Sequence, residues 1–275
     1  MHWKGAMAAL PDFADKRALV TGAGDGIGEM LARHLAAEGL YVIVQDIRQE
    51  AADRVAGDIG ERASAIAFDV SDRAACFAAA ETLKAEGALN MLWINAGVGV
   101  GSPILTGKQN AIEWGFDVNV RGAIWTAQAF VPLIQEGDGP RHVGITASSA
   151  ALRSPDGDFP LYATTKHATF AVAEALRGEL AASKIETTIL CPGLLNTKIW
   201  DGAKARPDRF GGVKHMDPSV SKRWDEAKGP EVMWPDIVRV IEQGGGYLVC
   251  ATDGRETKAA WLARTQEIAS GIVEV

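Results

Sequence analysis

A tyrosine and a lysine one helical turn apart are suited to proton transfer. Tyr162 and Lys166 stand four positions apart, so on a helix their side chains share one face. A free tyrosine, with a pKa of about 10, is a poor base at neutral pH, but an ammonium group held nearby favours the phenolate. The pair is a candidate general acid/base, although an ordinary aromatic residue and a solvated lysine on one helix would show the same spacing.

A glycine-rich turn at residues 21–28 could hold a phosphate group. It follows a short apolar run and precedes a helical pattern. In that context glycines allow close backbone approach, and the free amides of the helix N-terminus point toward an anion such as a dinucleotide pyrophosphate. A flexible loop that needs several positive φ angles would use the same residues. The predicted contacts from this loop are Gly22, Asp25, Gly26, Ile27 and Gly28.

The charges near this loop favour NAD over NADP. Asp46 stands at the end of the second predicted strand, where a carboxylate can accept hydrogen bonds from both adenosine ribose hydroxyls and would repel a 2′-phosphate. Asp25 adds a second negative charge, whereas Arg48 could turn toward a phosphate. Asp46 could also cap the following helix, and both roles could hold together.

Taken together, the motifs of this chain resemble those of the short-chain dehydrogenase/reductase family over about residues 14–253. In chain order they are TGxxxGIG at 21–28, Asp69-Val70, Asn95-Ala96-Gly97, Asn119, Ser148, YxxxK at 162–166, and Pro192-Gly193 with Thr197. One motif alone could arise by chance, but the full set in this order is highly specific. The resemblance implies an enzyme that exchanges hydride with a nicotinamide cofactor.

The resemblance also implies the roles of four side chains. Tyr162 would move the hydroxyl proton, which is typically worth about 10²–10⁴-fold in rate, and Lys166 would also hold the nicotinamide ribose. Ser148 would hydrogen-bond the substrate oxygen and stabilise its developing charge. Asn119 is similar to the family asparagine that bends its helix and holds a water molecule bridging to the lysine.

Two adjacent serines compete for the substrate-binding role. The usual family spacing to the tyrosine selects Ser149, whereas the pattern of small residues that follows, Ser-x-Ala-Ala, selects Ser148. We predict Ser148 and keep Ser149 as the alternative.

The remaining cofactor contacts follow from the same resemblance. They lie at the adenine, along the cofactor and beside the nicotinamide, and are Asp69, Val70, Asn95, Ala96, Gly97, Pro192, Gly193, Leu195 and Thr197, with Tyr162 and Lys166. The histidines and cysteines show no metal-ligand spacing, so no metal site is predicted. The redox chemistry is therefore expected from a diffusible hydride carrier, NAD.

The elements that position these residues alternate between strand and helix. The predicted strands are 17–21, 40–45, 64–68, 89–95, 141–147, 186–191 and 246–251, and the predicted helices are 27–38, 49–59, 73–86, 109–134 and 161–183. Near-continuous apolar strands are covered on both faces. The pattern predicts an α/β fold: a Rossmann-type, doubly wound, mostly parallel seven-stranded sheet with helices on both faces.

Residues 195–235 break this alternation with many prolines, glycines and charges, and with three tryptophans. Since a segment of this length is rarely structureless inside a compact domain, we expect short helices that form a substrate lid. A C-terminal helix is predicted at 255–270. No repeat or linker divides the chain, so residues 1–275 are expected to form a single dinucleotide-binding catalytic domain.

Composition excludes several classes of partner. The formal net charge of −7 gives no attraction to nucleic acid or to anionic lipid, and no stretch approaches the roughly 20 apolar residues that span a bilayer. The three distant cysteines suit a reducing compartment. With no signal peptide in the N-terminal sequence, the expected location is the cytoplasm.

The predictions of the substrate class and of the oligomeric state rest on weaker sequence patterns. Aromatic and apolar residues near the predicted site suggest a mainly apolar or aromatic secondary alcohol, or the matching ketone, although these residues could equally form the core of the lid. Small residues in the helices at 109–134 and 161–183 suggest close helix packing in a homodimer or homotetramer. The alternatives are an NADPH-dependent carbonyl reductase and a non-catalytic nucleotide-sensing protein.

Overall fold

The described residues form one parallel sheet with helices on both faces. The computed structural model describes residues 10–153, 159–214, 226–250 and 254–270. The strands are β1 (Arg17–Val20), β2 (Tyr41–Asp46), β3 (Ala63–Ala67), β4 (Met91–Ile94), β5 (His142–Thr146), β6 (Glu186–Pro192) and β7 (Gly245–Cys250). Their order is β3-β2-β1-β4-β5-β6-β7, and each of these pairings is parallel. The predicted fold is confirmed.

The connecting segments are mostly α-helical. The helices are α1 (Gly26–Ala37), α2 (Gln49–Ile59), α3 (Arg73–Lys84), α4 (Gln109–Phe116), α5 (Gly122–Gln135), α6 (Pro160–Ala181), α7 (Trp234–Glu242) and α8 (Gly254–Ser270). No helix within the described ranges combines the length and the apolar character needed to cross a membrane.

The central strands contribute to two hydrophobic cores because successive side chains point to opposite faces of the sheet. In β2, Val42 and Val44 join the core formed with α1, α2 and α7. Ile43, between them, joins the core formed with α3, α5 and α6. This double coverage explains why the strands are continuous apolar runs rather than alternating ones.

The strand order creates a crevice at the carboxyl ends of the strands. From β1 the chain winds outward to β2 and β3, and from β4 it winds in the opposite direction to β7. Ligands of doubly wound sheets bind where the winding reverses, outside the carboxyl ends of the strands. Here that position lies between β1 and β4.

Two helical regions differ from the prediction. The predicted helix 109–134 consists of α4 and α5, separated by a π-helical turn at Asp117–Arg121 in which Gly122 N–H donates to Asp117 O. α7, which packs against β6 and β7, was not predicted. The π-helical turn arises from tertiary contacts, to which hydrophobic periodicity is insensitive. α7, in contrast, has buried apolar residues at helical spacing, namely Ile237, Val238, Val240 and Ile241, so the prediction missed a pattern that the sequence contains.

The segment after β6 contains short helices, as expected. The described part holds 3₁₀-helices at Ile199–Ala205, Asp208–Phe210 and Pro230–Met233. Trp200 and Phe210 are buried, so the segment is packed onto the body of the molecule. The predicted C-terminal helix is present as α8.

Candidate active site

A cavity of about 710 Å³ opens at the carboxyl ends of the strands. Small-molecule sites typically occupy about 300–1,000 Å³. Among the residues predicted for the site, only Gly28 and Asn119 do not line this cavity. The structure therefore brings together residues that lie up to about 175 positions apart in the sequence, from Gly22 to Thr197.

The glycine turn owes its shape to two positions with left-handed backbone. Gly22 has φ +64° and Gly26 has φ +56°, conformations that glycine adopts without a steric penalty. Gly28 lies against the turn from behind, because a Cβ there would overlap Gly22 O and would lie 2.7 Å from Asn95 Nδ2. The first turn of α1 can therefore sit close to β1 and β4.

Polar side chains hold this turn from both sides. Gly24 N–H donates to Asp46 Oδ2 over 3.1 Å, and Arg54 Nη2 donates to Gly24 O over 2.7 Å. Gln45, which is buried, accepts a hydrogen bond from Gly22 N–H over 3.1 Å and donates to Phe68 O over 2.6 Å. The turn is thus fixed before any ligand binds.

A second network joins the ends of β1, β4 and β5. Thr21 Oγ1 accepts hydrogen bonds from Asn95 N–H over 2.9 Å and from Ala96 N–H over 3.1 Å. Asn95 Nδ2 donates to Thr21 O over 3.0 Å, and Thr146 Oγ1 donates to Asn95 Oδ1 over 3.0 Å. Asn95 therefore acts as a cross-link at the base of the cavity.

Asp46 and Asp25 both bind Arg48. Asp46 Oδ1 accepts from Arg48 N–H over 3.0 Å and from Nε over 3.2 Å, and Arg48 Nη2 donates to Asp25 Oδ2 over 2.9 Å. Burial acts to lower the pKa of Arg48, but the two carboxylates outweigh it and raise the pKa. The arginine that could have turned toward a phosphate is held between two carboxylates.

Ser148, Tyr162 and Lys166 converge at the other end of the cavity. Ser148 Oγ accepts from Ala150 N–H over 3.1 Å and donates to Pro192 O over 3.5 Å, and the Ser148 side chain acts to lower the pKa of Tyr162. Lys166 Nζ donates to Thr146 O over 3.1 Å and lies 6.0 Å from the centre of the Tyr162 ring. Ser149 lines the same cavity but begins the 3₁₀-helix Ser149–Leu152.

Burial controls the ionisation of this group. It raises the pKa of Tyr162 to about 12, against a smaller lowering by the Ser148 hydrogen bond. It lowers the pKa of Lys166 to about 8. The expectation that Lys166 lowers the pKa of Tyr162 is therefore wrong for the protein alone, because desolvation penalises the charged form of both groups.

Asn119 lies in the π-helical turn, behind the cavity wall. Its Oδ1 accepts from Val98 N–H over 2.8 Å, and its Nδ2 donates to Val98 O over 3.0 Å and to Thr165 Oγ1 over 2.9 Å. A Cβ added to Gly97 would lie 3.3 Å from Asn119 Oδ1 and 3.2 Å from Lys166 Nζ. Asn119 thus braces α6 next to Lys166.

An aromatic wall faces Tyr162. The Trp200 ring centre lies 4.2 Å from that of Phe159 and 5.3 Å from that of Tyr162. Gly99 makes room for this tryptophan, since a Cβ there would overlap the indole ring. The substrate end of the cavity is therefore apolar and aromatic on one side.

Several contacts at the site could not be expected from motifs. Gln45 could have been noticed as a polar residue inside an apolar strand. Arg54 and Arg209, which contact the glycine turn and Asp69 respectively, have no local signal because their partners are distant in sequence. In the described part of the chain, no group of three or more histidine, cysteine or acidic side chains could hold a metal ion.

Comparison with known proteins assigns the family. A family model described as short chain dehydrogenase matches residues 16–208. The chain belongs to the short-chain dehydrogenase/reductase family. The chain is an oxidoreductase of a family that uses nicotinamide cofactors.

Individual relatives of this dehydrogenase/reductase cover most of the chain. The 1-deoxy-11-beta-hydroxypentalenate dehydrogenase of Streptomyces avermitilis is 35% identical over 218 residues, 76% of this chain and 79% of the relative. Epidermal retinol dehydrogenase 2 of Homo sapiens is 33% identical over 192 residues, 67% of this chain and 62% of the relative. A Burkholderia phymatum short-chain dehydrogenase/reductase, solved in complex with NAD, superposes with a TM-score of 0.80 at 27% identity, covering 93% of each chain.

Proposed function

We propose that this chain is an NAD(H)-dependent oxidoreductase that transfers hydride between nicotinamide and a mainly apolar or aromatic secondary alcohol or ketone. The observation that carries the proposal is the meeting of Ser148, Tyr162 and Lys166 at one end of a cavity whose other end is the glycine turn with Asp46. A protein that only senses a nucleotide needs no proton donor at that position.

The residues of the cavity fit a nicotinamide dinucleotide. The left-handed Gly22 and Gly26 leave the turn open to close approach by a pyrophosphate. Asp46 would hold the adenosine ribose, Asp69 and Val70 the adenine, and Lys166 the nicotinamide ribose. Pro192, Gly193, Leu195 and Thr197 would flank the nicotinamide, which when bound supplies the hydride chemistry.

Tyr162 moves the proton in this proposal. A phenol with a pKa of about 12 stays protonated at neutral pH, so it carries the proton that the ketone oxygen takes up in the direction of reduction. In the direction of oxidation, a positive charge in the cavity favours the phenolate, which accepts the alcohol proton. Ser148 donates to the substrate oxygen, and Lys166 stays in place through its bond to Thr146 O.

NAD is the proposed cofactor because two carboxylates surround the adenosine end. Asp46 is 6% exposed and fixed by Gly24 and Arg48. A 2′-phosphate would meet Asp46 and Asp25, while Arg48 is bound to both. Two similar proteins support this choice: the Burkholderia phymatum protein was solved with NAD, and a 3-ketoacyl-(acyl-carrier-protein) reductase of Brucella melitensis was solved with NADH.

An apolar or aromatic substrate suits the wall of Trp200 and Phe159. These rings pack against each other and stand next to Tyr162, so a flat or bulky apolar group beside the carbinol carbon would contact them. The segment after β6 supplies Trp200, which supports its proposed role as a substrate lid. Single-domain organisation over residues 1–275 remains part of the proposal.

A homodimer or homotetramer in the cytoplasm completes the proposal. The three cysteines are free thiols, which suits a reducing compartment.

Gly122, Ala123 and Ala127 of α5 are buried within the chain itself and do not support an interface. Ala171 and Ala175 of α6 are exposed, so they do support an interface with a second copy of the chain. Size-exclusion chromatography with light scattering tests this, and a monomer would contradict it.

The proposed function is tested with a panel of secondary alcohols and ketones, followed by the absorbance of the reduced cofactor. We expect turnover with NAD(H) to exceed turnover with NADP(H) by at least about tenfold in kcat/KM. Preference for NADPH would establish the carbonyl reductase instead. Tight NAD binding without turnover of any alcohol or ketone would favour the nucleotide sensor.

A further inference from the structure

An arginine from the segment after β6 binds a carboxylate at the opposite end of the cavity. Arg209 lies in the 3₁₀-helix Asp208–Phe210. Its Nη2 donates to Asp69 Oδ2 over 2.7 Å and to Ser71 Oγ over 2.7 Å. Asp69 and Ser71 belong to the loop that follows β3, and Asp69 lines the cavity.

Both carboxylate oxygens of Asp69 take part in these contacts, and Oδ2 keeps one acceptor site for a further donor. Its Oδ1 accepts from Ser71 N–H over 2.9 Å and from Ser71 Oγ over 2.6 Å, and its Oδ2 accepts from Arg209. Ser71 Oγ donates to Asp69 and is therefore left to accept from Arg209. Charge-assisted bonds of this kind are stronger than bonds between neutral groups.

The segment spans the cavity between this cluster and the catalytic tyrosine. At one end Trp200 contacts Tyr162. In the middle Arg206 Nη2 donates to Asn110 O over 2.7 Å, and its guanidinium lies 4.9 Å from the centre of a Trp114 ring. At the far end Arg209 meets Asp69. The anchors at Trp200 and Arg206 do not depend on Arg209.

We propose that residues 199–210 form a strap across the cofactor site and that Arg209 is the positioning residue that fastens its adenine end. This rests on the proposed function, in which Asp69 contacts the adenine. Arg209 would neutralise the Asp69 carboxylate beside an anionic cofactor and hold the strap closed over the adenine. Loss of Arg209 would free only this end, because the remaining anchors hold the rest.

The test compares Arg209→Gln with Arg62→Gln. Arg62 forms a similar exposed ion pair with Asp15, over 3.0 Å, but Asp15, unlike Asp69, does not line the cavity. NADH release is followed by stopped-flow fluorescence, and the affinity for ADP by calorimetry. Since an exposed ion pair contributes up to about 1 kcal/mol, we expect Arg209→Gln to accelerate NADH release and weaken ADP binding, each by about fivefold. Arg62→Gln should change neither.

A kinetic comparison separates this role from a general loosening of the lid. A fastening role raises KM for NAD while kcat at saturating NAD and KM for the alcohol stay unchanged. A loosened lid would instead lower kcat and raise KM for the alcohol, and would overturn the proposal. If Arg209→Gln does not fold, Ser71→Ala, which removes one acceptor of Arg209, should accelerate release in the same direction.

The outcomes separate this proposal from the proposed function. If the wild-type protein binds NADH and turns over an alcohol, but Arg209→Gln releases NADH at the wild-type rate, only the strap is wrong. If the wild-type protein binds no NAD(H), the proposed function fails, and the strap fails with it.

Discussion

The two ends of the cavity use charge in different ways. At the adenosine end, Arg48 and Arg209 have side chains 38% and 48% exposed, and each is paired with a carboxylate. At the end that holds Tyr162, Lys166 is 2% exposed and Ser148 is 7% exposed, and no carboxylate forms an ion pair with Lys166 in the described part of the chain.

This difference determines what each end can do. Solvent screens exposed ion pairs, so each contributes little energy, but their geometry can select one cofactor over another. At the buried end, no ion pair within the described part of the chain offsets the cost of desolvation. Desolvation therefore shifts the pKa values of Tyr162 and Lys166 strongly. Substitutions at the buried end should therefore alter the rate, and substitutions at the exposed end should alter affinity and selectivity.

The largest expected effect belongs to Tyr162→Phe. Removing the hydroxyl removes the proton donor but leaves the ring packed against Trp200, so kcat should fall by about 10³–10⁴-fold. The affinity for NAD, measured by quenching of tryptophan fluorescence, should stay close to the wild-type value. Retained turnover would show that the buried end does not supply the acid/base group.

Ser148→Ala should have the next largest effect. Loss of one donor to the substrate oxygen typically costs about 10²–10³-fold in kcat. Ser149→Ala is the matched control, because Ser149 lines the same cavity and has similar burial, and its kcat should remain near that of the wild type. The reverse ranking of the two variants would assign the role to Ser149.

Asp25→Asn should have the smallest effect, at the exposed end. It removes one of the two carboxylates that hold Arg48, which can then turn toward a 2′-phosphate. The ratio of kcat/KM for NADP to that for NAD should rise by up to about fivefold, the contribution of one exposed pair. Asp53→Asn, on the exposed side of α2, should leave the ratio unchanged. A rise in this ratio of more than a hundredfold would show that solvent does not screen the ion pairs at this end of the cavity.

Motifs predicted many residues that line the two ends of the cavity, because these residues are close in sequence or occur in a fixed order. YxxxK and the glycine turn are local patterns, and alternation of strands and helices was sufficient to predict the parallel sheet. The pKa directions were not predictable, since desolvation depends on tertiary burial. The Arg209–Asp69 pair joins residues 140 positions apart, and the π-helical turn at Asp117–Arg121 depends on packing against α6. Neither the ion pair nor the π-helical turn can be predicted from the spacing of residues in the sequence.

The most direct test of the account is the ionisation of Tyr162 when the cofactor binds. The chain has three tyrosines, so ultraviolet difference spectra can follow tyrosinate formation with pH, using Tyr162→Phe as the reference. Because burial alone holds the pKa of Tyr162 at about 12, the positively charged oxidised nicotinamide should lower it by about one to three units. The uncharged reduced ring of NADH should not lower the pKa of Tyr162. An equal titration with NAD⁺ and NADH would contradict the proposal that Tyr162 exchanges its proton next to the nicotinamide.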